Sequence, residues 1–405
     1  MKRRTFLQIS VAALTASTVS AVAQQTPASI RIGWSLAKSG PGAPPTATLV
    51  VPNYEMWVKE INSAGGLMLK AYGKRLPIEV IEYDDRTNNE EAVRAVERLI
   101  LQDKVDLVLP PWGTAANLAV APTFAKYGMP QLGATMLTDK APELAKRWGN
   151  LFFMLGAAGN YAEALLAFLA EQRKAGKIGD KLAMVFVADA FGVESAVAMR
   201  KGAAAHGFKL VIDKSYPIGS QDLSPLLSEV KAQEPDAVIA FSYPPDTVLI
   251  SDQARVLALN PKVFFTGVGT PFPFFKAKYG ASAEGQMSFG GIDGDSPDIK
   301  DYYKRHKELT SKDPDGWGSP IVYASLQVLQ QAIERIGKID RAAIVNEIKT
   351  GTFDTVLGKL KFQDQLLGQQ IFQIGQWQGG VFQGVAPTSM RGAKPALLPK
   401  PAWKN

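Results

Sequence analysis

Short apolar runs alternate with helical patterns along almost the whole chain, and no other feature restricts its fold as strongly. Strands are expected at Ile30–Trp34, Ile78–Tyr83, Val105–Leu109, Pro130–Leu132, Leu182–Val187, Lys209–Tyr216, Ala237–Phe241 and Val263–Phe265. Helices are expected between them, at Thr48–Ser63, Asn89–Gln102, Thr114–Lys126, Tyr161–Ala175, Gly192–His206, Leu223–Gln233 and Thr247–Leu259. Short strands apolar on both faces, each followed by a helix, build parallel sheets covered on both sides. There are too many for one sheet. A run at Leu151–Leu155, followed by Gly156-Ala157-Ala158-Gly159, marks a crossing into a second α/β unit, and Gln286–Gly291 marks the return. Helices follow at Pro297–Ser311, Ile321–Ile336 and Arg341–Lys349. A hairpin is expected from Lys359–Gln363 and Gln370–Trp377, with Gly368 and Gly379-Gly380 as turn residues. Residues 394–405, rich in Pro and Lys, read as a loosely held tail.

The segment from Lys104 to Thr138 carries the best candidate site. It reads as a buried strand, a turn of Pro110, Pro111, Trp112 and Gly113, a helix from Thr114, and a second strand ending at Gly133-Ala134-Thr135. In open α/β sheets, ligands sit at the carboxyl ends of strands, where helix N-termini offer unpaired N–H groups and a positive dipole end to an anion. Thr114 stands at the N-cap, its hydroxyl placed to cap Ala116 or Asn117 or to meet a ligand oxygen. Trp112 adds an apolar wall. The plainer reading is a capped helix with Trp112 in the core.

Residues 1–23 read as an export signal. Lys2, Arg3 and Arg4 precede an apolar run from Ile9 to Val22, and Ala21-Val22-Ala23 forms an A-x-A cleavage site before Gln24. Arg3-Arg4-Thr5-Phe6-Leu7 resembles a twin-arginine signal, and a Sec signal carrying two arginines is the alternative. No segment has the uninterrupted apolar length of a membrane helix. The mature chain is therefore expected to be soluble and exported.

Several chemistries have no residues to support them. The chain has no cysteine, which removes disulfides, thiol catalysis, Cys-x-x-Cys metal sites and a lipid-anchoring cysteine. Its two histidines, His206 and His306, lie far apart on helical patterns and read as surface or helix-terminal residues. The net charge is +7, from 45 Lys and Arg against 38 Asp and Glu; without the three basic residues of the leader it is +4. Basic and acidic residues interleave, as in Glu90, Glu91, Arg94, Glu97 and Arg98, so no nucleic-acid stripe is present. Gly267-x-Gly269 lacks the third glycine of a dinucleotide loop, Phe272 standing there, and no hydrolase or phosphate-loop motif occurs, so no cofactor is expected. Asp84-Asp85 ends a strand and caps the next turn, since adjacent strand residues face opposite ways. Met68 falls in an expected loop.

Particular residues carry a family likeness. Ile32-Gly33-Trp34 leads to Ser39-Gly40-Pro41; Ile61-Asn62-Ser63-Ala64-Gly65-Gly66 closes the first helix; Glu82-Tyr83-Asp84-Asp85 ends the second strand; Tyr323-Ala324, Lys361-Phe362 and Gln376-Trp377 follow near the end. With these pieces the chain resembles the leucine/isoleucine/valine-type periplasmic substrate-binding proteins of ABC importers over nearly its whole mature length. The resemblance implies two Rossmann-like α/β lobes with parallel sheets joined by a three-strand hinge, a small-molecule carboxylate ligand in the cleft, an inner-membrane permease as partner, a location in the periplasm, and a monomer. The lobes are expected at 28–155 plus about 291–360, and at 156–290 plus about 361–393. Carried onto this sequence, the family's carboxylate-binding loop falls on Trp112, Gly113 and Thr114, and its second anchoring turn on Gly133, Ala134 and Thr135. The cleft aromatic of the far lobe falls on Phe191, where the family has tyrosine, and the pair after a later strand on Ser242 and Tyr243. Trp34 is expected as a further aromatic wall.

One departure bears on the ligand. Amino-acid binders of this family hold the ammonium with an acidic side chain, and that position falls on Val268 in Thr266-Gly267-Val268-Gly269-Thr270. An ammonium enclosed without a carboxylate costs several kcal/mol. The expectation is therefore an aromatic or otherwise apolar carboxylate, walled by Trp34, Trp112, Tyr243 and Phe272. The alternative is that Asp189 or Asp246 reaches an ammonium from elsewhere. A transport receptor and a ligand sensor of the same fold both fit these features, whereas an exported enzyme would need a catalytic constellation.

Overall fold

The computed structural model describes residues 27–368, 373–390 and 392–404. The expected leader and the first residues of the strand expected at Gln370–Trp377 lie outside them. The first lobe is built from β1 (Ile30–Ser35), α1 (Ala43–Pro45), α2 (Val51–Ser63), β2 (Leu67–Leu69), β3 (Lys74–Leu76), β4 (Ile78–Tyr83), α3 (Asn89–Leu101), β5 (Leu107–Leu109), α4 (Thr114–Lys126), β6 (Gln131–Gly133), α5 (Ala141–Arg147) and β7 (Leu151–Phe153). The chain then crosses to α6 (Ala158–Lys174), β8 (Lys181–Val187), α7 (Ala190–Ala205), β9 (Lys209–Tyr216), α8 (Ser224–Ala232), β10 (Ala237–Phe241), α9 (Pro244–Val256), β11 (Val263–Thr266), α10 (Pro273–Tyr279) and β12 (Met287–Phe289). It returns for α11 (Pro297–Thr310), α12 (Gly318–Ile336), α13 (Arg341–Thr350), β13 (Thr352–Thr355), β14 (Gly358–Gln363) and β15 (Leu366–Leu367), and ends with β16 (Ile374–Gln378) and β17 (Val381–Ala386).

In the first lobe β4-β1-β5 form one parallel sheet, and a separate sheet holds β6, β7 and β15 in parallel, with β14 and β13 antiparallel beyond them. The second lobe has one sheet in the order β9-β8-β10-β11-β12-β16-β17, parallel as far as β12. The strands at its centre are apolar throughout: Leu182 to Val187 and Ala237 to Phe241 are all buried, because helices cover both faces. Helices obey the complementary rule. α3 buries Ala92, Val96, Leu99 and Ile100 along one stripe, while the Asn88 side chain accepts from the N–H groups of Glu90 and Glu91 and those two acids sit at the positive end of the dipole.

Four expectations are corrected. Residues 359–363 and the strand after them form no hairpin: β14 pairs with β13 and β15 in the first lobe, and β16 pairs with β12 and β17 in the second. The chain passes from one sheet to the other after β15, which pairs with β7. Met68 lies on β2, hydrogen-bonded to β3, and not in a loop. His306 is buried on α11, with its Nδ1 2.9 Å from the Lys312 carbonyl and its ring edge-on to Tyr302, and burial lowers its pKa. His206, as expected, ends its helix.

The tail is the fourth. Lys400 N–H donates to the Lys262 carbonyl at 2.8 Å, and Trp403 Nε1 donates to the Leu259 carbonyl at 2.9 Å with its ring packed edge-on to Phe264. Lys400 Nζ lies 3.8 Å from the centre of the Trp403 ring and donates to Asn260 Oδ1 at 2.6 Å. A segment rich in Pro and Lys is held here by a few specific bonds, which composition does not reveal. Burial lowers the Lys400 pKa to about 7, so folding disfavours its charged form. That cost is absent above 10.5, grows as pH falls towards 7, and is complete below it. Lys400→Met should therefore gain stability relative to the native chain most at pH 6 and least at pH 10, as read from urea midpoints at the two pH values.

Candidate functional site

The turn after β5 sets the geometry. Gly113 adopts φ 89° and ψ 157° immediately before α4, a backbone state that L side chains rarely adopt. Its N–H donates to Thr135 Oγ1 at 2.9 Å, tying the turn to the end of β6. Thr114 opens α4 rather than capping it, and its hydroxyl accepts from Leu137 N–H at 3.1 Å. Asn117 Nδ2 donates to the carbonyls of Pro111 and Gly113, and Gln131 Nε2 donates to the Asn117 carbonyl. Tyr54 adds a bond to the Pro110 carbonyl. The loop is thus braced from every side. The N–H groups of the first turn of α4 have no partners within the helix, and they stay directed outward from the strand end.

Facing this turn across the cleft is the second lobe. A narrow cavity of about 30 Å³ is lined by Leu49, Trp112, Gly113, Thr114, Ala134, Thr135, Leu137, Leu155, Phe191, Tyr243, Val268, Trp317 and Gly318. No charged side chain is among them. Trp112 from the first lobe meets Tyr243 from the second edge-on, with ring centres 5.1 Å apart, and Phe191 stacks on Tyr243 at 5.3 Å. A second space of about 170 Å³ lies beyond this aromatic pair, lined by Asp85, Thr87, Asn88, Asp189 and Ile218 among others, with Ala115 and Ala116 of α4. Trp112, Gly113 and Tyr243 border both.

Carboxylates stand near, but outside, the inner cavity. Tyr243 donates its hydroxyl to Asp189 Oδ2 at 2.6 Å, and Asp189 Oδ1 accepts from Gly192 N–H to cap α7. Asp246 accepts from Tyr243 N–H at 3.3 Å at the start of α9. Burial raises the pKa of Asp189, and raises those of Asp246 and Asp85 to about 6. Tyr243 is pushed well above its ordinary value, first by burial and then by Asp189, so it remains a donor.

Of the residues singled out in the sequence, Trp112, Gly113, Thr114, Ala134, Thr135, Phe191, Tyr243 and Val268 come together around the cavity. Four others do not line it. Trp34 is buried on β1 with its ring edge-on to Tyr54 and its Nε1 donating to Glu82. Gly133 lies within β6, where a side chain would strike Met136. Ser242 is buried behind the wall, 2.7 Å from Thr247 Oγ1 and accepting from Gly267 N–H. The Thr114 hydroxyl, expected to cap its helix or meet a ligand oxygen, serves Leu137, and the Thr135 hydroxyl serves Gly113. Phe272, named as a wall, is fully buried and outside the lining.

Leu49, Leu137, Leu155, Trp317 and Gly318 were missed. Leu49 sits on a π-helical turn, Thr46–Val50, before α2. Gly318 makes room for it: a Cβ there would lie 2.8 Å from a Leu49 methyl. Trp317 is placed by Asp315, which accepts from the N–H groups of Trp317, Gly318 and Ser319 to start α12. Asp315 preceding Gly318-Ser319-Pro320 is a helix-start signal that the sequence did contain.

Comparison with known proteins bears on the family and the fold. A family model described as periplasmic binding protein matches residues 29–380. The Leu/Ile/Val-binding protein homolog 7 of Brucella suis biovar 1 (strain 1330) is 23% identical over 358 residues, covering 82% of this chain and 85% of that protein. Among solved structures, a solute-binding protein of an ABC transporter from R. palustris in complex with benzoate superposes with a TM-score of 0.77 at 19% identity, over 92% of this chain and 97% of its own. The branched-chain amino acid transporter substrate-binding protein LivJ from Streptococcus pneumoniae, in complex with isoleucine, gives 0.75 at 21% identity, over 89% and 100%. These likenesses establish the fold.

The Tyr243 bond is open to test. Its hydroxyl lowers the Asp189 pKa against the effect of burial. Tyr243→Phe should therefore move the Asp189 titration upward, as followed by carboxyl NMR shifts, and should cost about 1.5–3 kcal/mol for a hydrogen bond to a charged group.

Proposed function

The chain belongs to the periplasmic binding protein family, and from that membership we propose that its ligand is a small aromatic or otherwise apolar carboxylate held between the lobes. The family and fold are those of substrate-binding proteins of ABC transporters, which are not enzymes. The observation that carries the ligand reading is the uncharged lining of the inner cavity, where Val268 stands among Trp112, Phe191, Tyr243 and Trp317. Such a wall suits a ring or branched alkyl group and offers an ammonium no counter-charge.

The acid group is assigned to the first turn of α4. Gly113 N–H and the unpaired N–H groups after it lie at the positive end of the helix dipole. A ligand oxygen takes the place of the Thr135 hydroxyl at Gly113, releasing that hydroxyl to donate in turn. The far lobe, through Phe191, Tyr243 and Val268, closes over the ring. We assign the closing bodies to 28–155 with about 291–367 and to 156–290 with the remainder, extending the first lobe to include β15. Export through a leader cleaved near Ala23, a monomeric state and delivery to an inner-membrane permease complete the reading.

A second reading rests on Asp189. It lies one ring away from the cavity, and its bond to Tyr243 is the one an ammonium would have to replace. An amino acid bound this way needs Tyr243 displaced. The solved relatives include both kinds, one bound to benzoate and one to isoleucine.

A thermal-shift screen separates the two. Benzoate and related amine-free acids should raise the melting midpoint, by the equivalent of about 2.7 kcal/mol at a hundred times the dissociation constant. Leucine and isoleucine should not. A shift with the amino acids alone would overturn the proposal. Val268→Glu should abolish the benzoate shift, since a second carboxylate in a closed apolar cavity costs about 2 kcal/mol or more.

A further inference from the structure

We infer that Glu194 is a positioning residue for lobe closure, acting as a clasp that holds the cleft shut without touching what is inside it. Glu194 lies on α7 of the second lobe, and Thr138 and Asp139 lie between β6 and α5 of the first. Glu194 Oε2 accepts from Thr138 Oγ1 at 2.6 Å and from Asp139 N–H at 2.9 Å. One carboxylate oxygen thus takes two donors from the opposite lobe, and charge makes both bonds stronger than neutral ones. Thr138 is fully buried, so its hydroxyl loses a protein partner if the lobes part.

The placement couples the clasp to the cavity from both sides. Phe191, which lines the cavity, is three residues before Glu194 and therefore on the same face of α7. Leu137, which also lines it, is the residue before Thr138 and is fastened by its backbone to the Thr114 hydroxyl. Drawing Glu194 onto Thr138 brings the Phe191 wall against the Leu137 wall. Asp139 in turn accepts from Gly159 N–H at the start of α6, which places the clasp beside the first crossover between lobes. A bond present only when the lobes are together raises the closed fraction, and apparent affinity scales with that fraction.

The inference rests on the cleft being the binding site but not on which ligand fills it. It is therefore tested first without ligand. The chain has no cysteine, so Glu90→Cys in the first lobe and Gln221→Cys in the second carry the only spin labels, and their separation reports closure. Glu194→Ala should shift the distance distribution to longer values, and Glu194→Gln, which keeps an acceptor oxygen, should shift it less. Glu163→Ala, which loses a bond to His206 within the second lobe, is the control and should leave it unchanged. If Glu194→Ala melts without cooperativity, Thr138→Val removes one donor in place of the acceptor and must give the same opening. An unchanged distribution in a folded Glu194→Ala or Thr138→Val overturns the inference. With benzoate as probe, Glu194→Ala should weaken binding roughly tenfold, chiefly through faster release, as expected for loss of hydrogen bonds to a charge. Opening without benzoate binding in any variant would leave the clasp standing and remove the ligand reading.

Discussion

Parallel strands cannot be joined by a tight turn, and this constraint organises the molecule. Each parallel neighbour requires a crossover, so the parallel strands of a lobe end along one edge, and the turns that follow them gather there. In this chain those edges face each other across the cleft. Trp112, Gly113 and Thr114 follow β5, Thr135 follows β6, Asp189 and Phe191 follow β8, Tyr243 follows β10, and Val268 follows β11. Every one of them is a consequence of where a strand stops.

Closure then depends on how those turns are braced. Gly113 is fixed by Thr135, Val268 is fixed by its N–H on the Ser242 carbonyl and its own carbonyl on Thr247, and Tyr243 is fixed by Asp189. Rigid turns on both lobes mean that shape and charge are largely set before a ligand arrives, which limits the ordering cost of binding. In the proposed mode of binding the lobes are the moving parts, and they meet through contacts such as Trp112 with Tyr243 and Glu194 with Thr138.

Much of this was legible because local rules coincide with tertiary ones. The helix at Thr114–Lys126 and the strands at Ile78–Tyr83, Lys209–Tyr216 and Ala237–Phe241 have the bounds expected from apolar pattern and turn residues. Side-chain direction was not legible in the same way. Trp34 is the next-to-last residue of β1 yet turns into the core towards Tyr54, and Ser242 turns away from the cleft to tie β10 to the loop after β11. Leu49 and Trp317 reach the cavity from a π-helical turn and a helix start that lie far apart in sequence, so only the assembled lobes bring them together. The tail failed for a related reason: Lys400 and Trp403 depend on partners at Asn260, Leu259 and Phe264, which no local pattern discloses.

The central claim is that the lobes enclose an apolar acid against an uncharged wall. Calorimetric titration of the mature protein with benzoate at several temperatures tests it most directly, because burial of apolar surface carries a negative heat-capacity change. The account predicts saturable one-to-one binding of benzoate with heat that becomes more exothermic on warming, and no binding of leucine under the same conditions. Saturable binding of leucine with no response to benzoate would contradict it.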